Sequence, residues 1–160
     1  MPARAISFLS CMVLIGSALA GATLSGAAHA GSAPAELSCL SDSGKVALKG
    51  VIPSPSSEDL NLTLSYFDAQ LSFNDSTSDG SFVVSDFPQS VFLLRVPSPS
   101  TALTLYALPA TMAVEKTSDS GDRSGTFQAK LTAPRPRSAT GVQTATPLTA
   151  TLNCEYRYSL

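Results

Sequence analysis

Twelve carboxylates, one histidine and three cysteines are the main side chains through which this 160-residue sequence could run acid–base, nucleophilic or metal chemistry. The histidine, His29, falls in an N-terminal stretch that reads as a removable export signal. Arg4 supplies the positive start, an apolar run follows from Ile6 toward Ala20, and Ala28-His29-Ala30 fits a small-residue cleavage site, with Ala18-Leu19-Ala20 as the alternative. Without residues 1–30 the chain has no imidazole. That excludes a Ser-His-Asp or Cys-His pair and deprives zinc and copper of their usual nitrogen ligand. Cys11 goes with the signal, leaving Cys39 and Cys154. An even pair in an oxidising compartment is expected to form a disulfide rather than a nucleophilic thiolate. The sequence therefore points away from an enzyme and calls for no cofactor.

The carboxylates fit structural roles better than catalytic ones. Asp42, Glu58, Asp59, Asp75, Asp79, Asp86, Asp119 and Asp122 mostly sit in turn clusters, where aspartate bonds its own backbone. Glu115 and Glu155 fall on the polar faces of strands. A carboxylate pair for glycoside cleavage therefore ranks low. Asp75, Thr77, Asp79 and Asp86, with Gly80 between, have partial EF-hand spacing. The twelfth position holds Asp instead of the longer bidentate Glu, and the flanks read as strands, so a hairpin turn is favoured over calcium. Residues 134–147 form the longest polar linker and carry a possible binding loop, Arg135, Arg137 and Ser138. Arg137-Ser138 is also the bond an inhibitory loop would offer a trypsin-like peptidase, a reading ranked below that of a solvated linker.

These residues need a scaffold, and the hydrophobic pattern describes one. Leu148, Ala150, Leu152, Cys154, Tyr156 and Tyr158 alternate with polar residues, the period of a half-buried strand. The same pattern is read at Val46 to Ile52, Leu60 to Tyr66, Leu71-Phe73, Phe82-Val84, Leu103-Leu105, Met112-Val114 and Phe127 to Leu131. Val91–Val96 is nearly continuous in apolar residues and reads as a central strand. Turn-forming clusters separate them at Ser41–Gly44, Asn74–Gly80, Asp86–Ser90 and Ser118–Gly125. No segment reads as a helix.

The expected fold is all-β: residues 31–160 form a single antiparallel β-barrel of about eight strands, whose first and last strands are joined by Cys39–Cys154. A β-sandwich is the alternative, although the chain lacks the buried Trp of antibody domains. Loss of Arg4 with the signal leaves a net charge of −3, which argues against a nucleic-acid partner. No apolar run is long enough for a transmembrane helix.

The functional expectation is an exported, non-enzymatic binding or interaction module, secreted or periplasmic. Its loops or barrel mouth would take a protein or a small apolar ligand. The alternative is a structural component of an envelope or extracellular matrix. A small outer-membrane barrel ranks below both, because its strands would need nine to eleven residues each.

Overall fold

The computed structural model describes residues 34–55, 57–113, 116–117, 122–137 and 146–158. The expected export signal, Ser138, Glu115 and Asp119 lie outside these residues. The strands are β1 (Ala35–Leu40), β2 (Val46–Ile52), β3 (Asn61–Tyr66), β4 (Ala69–Asn74), β5 (Phe82–Asp86), β6 (Val91–Val96), β7 (Leu103–Ala107), β8 (Lys116–Thr117), β9 (Arg123–Ala133) and β10 (Leu148–Tyr158). Nine of them form one curled antiparallel sheet in the order β4-β3-β2-β1-β10-β9-β7-β6-β5, and the two-residue β8 pairs with β9. The fold is thus all-β and shaped as a half-barrel. The pairing of first and last strands is present, and the sheet ends at β4 and β5, which are not paired with each other.

The alternation seen in the sequence becomes the inner face of this sheet. Leu37, Leu48, Leu62, Leu64, Leu94, Leu105, Leu131 and Leu152 are all at most 2% exposed and belong to one contiguous apolar cluster. Each such side chain contributes roughly 1.5–3 kcal/mol on burial, so this face dominates the folding free energy. At one end of the core, Phe92 packs on Phe127 with ring centroids 4.6 Å apart, and Phe87 stacks on Tyr156 at 5.6 Å. Gly125 lies beneath Phe87, where a Cβ would overlap the ring.

Cys39 pairs directly with Cys154 across β1 and β10, and the two form a disulfide buried in the core, with their Cα atoms 4.0 Å apart. Gly50 faces inward between Leu37 and Leu62, at φ +139°. A Cβ there would overlap the carbonyl oxygen of Asn61, so only glycine lets β2 and β3 approach.

Three strand expectations are corrected. The strand expected at Met112-Val114 is not found over its described residues: a 3₁₀ turn spans Pro109–Thr111, Met112 and Ala113 lie outside any strand, Val114 lies outside the described residues, and the next described strand residues are Lys116–Thr117. Pro109 starts that turn because its φ is already fixed near the helical value. The Val91–Val96 strand is next to the edge rather than central, with Val91 and Arg95 exposed on its outer face. In β5, Phe82 and Val84 face outward while Val83 packs against the core. With three consecutive apolar residues, that strand offers no alternation from which the facing could be read.

Candidate functional site

The β1–β2 turn is held by Ser41, whose Oγ accepts the Val46 N–H at 3.0 Å and whose carbonyl accepts the Gly44 N–H at 2.8 Å. This fixes Lys45 at the rim. The β3–β4 hairpin docks beside it, the Phe67 N–H donating to the Lys45 carbonyl at 2.9 Å. Phe67 and Asp68 form a two-residue loop in which Phe67 has φ +53°. That conformation costs a non-glycine residue of order 1–3 kcal/mol. Phe67 nonetheless holds an aromatic ring there, 58% exposed.

Arg135 arrives from the other side. Pro134 and Pro136 flank it, and a residue before proline is confined to extended backbone. The side chain runs back to β3, where its guanidinium lies 5.5 Å from the centre of the Tyr66 ring. Its Nε is buried without a hydrogen-bond partner, a desolvation of about 1–3 kcal/mol that the ring contact offsets in part. Lys45 Nζ lies 5.2 Å from the centre of the Phe67 ring, and the two rings meet edge-to-face at 4.7 Å. The result is an alternating cation–ring assembly bordering a cleft of about 520 Å³, with Ser43 and Thr149 on its wall. Among the described residues neither Lys45 nor Arg135 meets a carboxylate. Asp42, on the same wall, is engaged by Asn153, whose Nδ2 donates to Asp42 Oδ1 at 2.6 Å.

Of the proposed loop residues, Arg135 belongs to this cation–ring assembly. Arg137 is exposed beyond Pro136, and Ser138 lies outside the described residues. Lys45, Tyr66 and Phe67 were not singled out from sequence. Tyr66 reads as the end of an alternating strand, and its partner Arg135 lies almost seventy positions later. The faint signal was Phe67-Asp68 in a position where a tight turn calls for glycine or asparagine.

Three of the four residues with EF-hand spacing make hydrogen bonds in loops and turns. Asp75 Oδ1 accepts the Leu60 N–H at 2.9 Å, tying the β4–β5 loop to the start of β3. Thr77 Oγ1 donates to the Asn74 carbonyl at 3.2 Å, and Asp86 Oδ1 accepts the Gln89 N–H at 3.1 Å in the β5–β6 hairpin. Asp79 borders a cleft with Glu58, Asp59 and Asp75, yet no three acidic, cysteine or histidine side chains are placed to hold a metal among the described residues. On the outer face, Arg157 forks onto one oxygen of Glu155, with Nε at 2.9 Å and Nη2 at 2.7 Å. That contact raises the Arg157 pKa above its ordinary value.

No protein-family model, no curated protein and no solved structure matches the chain. Among the described residues, no helix is long and apolar enough to cross a membrane.

Proposed function

We propose that this protein is an exported, non-enzymatic interaction module whose rim, built from Lys45, Tyr66, Phe67 and Arg135, binds an acidic segment of a partner protein. One observation carries the reading: two cations are held on two aromatic rings at an open cleft, and neither meets a carboxylate among the described residues. An aspartate or glutamate side chain of a partner supplies the missing countercharge, and the exposed Phe67 ring supplies apolar contact beside it. The tight inner face favours the rim over the interior as the place of binding, and so a protein over a small apolar ligand. The buried disulfide supports an oxidising compartment, secreted or periplasmic.

The test is fluorescence anisotropy with acidic, neutral and basic peptides of equal length. Binding is expected for the acidic peptide alone, weakening as salt is raised. Arg135→Ala and Lys45→Ala should each reduce affinity about tenfold, the size of one charge-assisted hydrogen bond. Equal binding of all three peptides, or acidic-peptide binding that both variants leave unchanged, would sink the proposal.

A further inference from the structure

The two ends of the sheet differ in a way the core does not require. On β4 the outward side chains are Gln70, Ser72 and Asn74, all polar and exposed. On β5 they are Phe82 and Val84, followed by Asp86, and both apolar side chains are more than 40% exposed. The registers extend this apolar surface inward along the sheet. Val84 lies opposite Leu93 and Leu93 opposite Tyr106, while Val91 lies opposite Asp86, and Val91 and Tyr106 are also exposed. Lys130 ends the row beside Tyr106. Edge strands are ordinarily blunted by lysine, proline or a bulge, and β5 has none of these. Among the described residues nothing pairs with its outer edge.

We infer that β5 pairs antiparallel with β5 of a second copy of this chain, about a two-fold axis at Val84. This register follows from charge. The outer face carries Asp86 at one end of β5 and Arg95 beside Phe82 at the other, so the edge is acidic at one end and basic at the opposite end. A two-fold at Val84 sets Phe82 opposite Asp86 of the partner and brings that carboxylate toward Arg95 across the Phe82 ring. The two backbones are then two strand spacings apart, about 10 Å, a gap that an arginine and an aspartate side chain can close together. Arg95 meets no carboxylate among the described residues, so the partner's Asp86 supplies its countercharge. The same operation joins Tyr106, Leu93 and Val84 to their copies in one apolar row across the axis. A two-fold contact consumes the β5 edge of both copies and stops at two chains.

The experiment is sedimentation equilibrium of the oxidised mature protein through the micromolar range, with circular dichroism to check folding. A monomer–dimer equilibrium is expected. Val84→Lys sets like charges across the axis and should weaken it at least about tenfold. Asp86→Arg should weaken it as well, and Asp86→Arg combined with Arg95→Asp should restore it. Val84→Cys should yield a covalent dimer on mild oxidation, a readout that holds even if the lysine variant folds poorly. A strictly monomeric protein overturns the inference. So does a dimer that withstands the charge changes and is not trapped by Val84→Cys. Neither result bears on the acidic-peptide site, which lies on other residues.

Discussion

Replacing both Cys39 and Cys154 by alanine should remove a large part of the folding free energy. The bridge spans 115 residues. Loop-closure entropy for a cross-link of that reach amounts to about 5 kcal/mol at 25 °C, against a total of about 5–15 kcal/mol for an ordinary domain. The effect acts on the unfolded chain, which the bridge keeps from expanding, and not on contacts in the sheet. Two measurable consequences come from one cause. In a urea titration followed by circular dichroism, the midpoint should fall by an amount equivalent to about 4–5 kcal/mol, and the slope m should rise because the unlinked chain exposes more surface. The native sequence under reducing conditions is the companion sample, since it keeps both sulfurs and separates the lost cross-link from the small voids of the alanine variant. A loss below about 1 kcal/mol with an unchanged m would refute the entropic reasoning.

Gly50→Ala should destabilise the protein by more than about 2 kcal/mol, because the new Cβ overlaps the Asn61 carbonyl at a φ that L-residues rarely adopt. A urea midpoint equal to that of the parent would contradict this. Phe67→Gly relieves the strained turn while losing the Tyr66 contact, so the two effects nearly offset and stability should change by less than about 1 kcal/mol. The same variant should bind the acidic peptide about tenfold more weakly. If stability falls sharply while binding is unchanged, the turn serves only the fold.

Some of this structure is legible in the residues, and the reasons differ by element. In β10 every second residue from Leu148 is apolar over eleven positions, so both the strand and its facing are readable, and Cys154 shares that face with Leu152 and Tyr156. Cys39 follows Leu37 by two positions on β1, which places both sulfurs on the inner face before their pairing is known. β5 fails for the opposite reason: Phe82-Val83-Val84 fits either facing, and only its edge position decides that two of the three meet solvent. The turn cluster read at Ser118–Gly125 in part continues as strand, since Arg123, Ser124 and Gly125 pair with the end of β10, and Gly125 is there to clear Phe87. Arg135 stands out as a cation in a proline-rich loop. Its contact with Tyr66 is a product of sheet curl, which no local pattern encodes.

The strand order has a consequence for how the chain could be cut and rejoined. Apart from the short β8 branch, every neighbouring pair in the sheet is also consecutive along the chain, except β10 and β1. A circular permutant that starts at β5 and ends at β4 would be an uninterrupted meander, with its termini at the two sheet edges. In the chain as it stands, no turn joins β10 to β1, and the Cys39–Cys154 bond links the same two strands from within, four residues in from the end where such a meander would have its hairpin turn. That bond is a second covalent link, beside the β4–β5 loop, between two halves, β1–β4 and β5–β10. Synthesis delivers these halves in sequence, and β1 has no partner on its second side until the last eleven-residue strand has emerged.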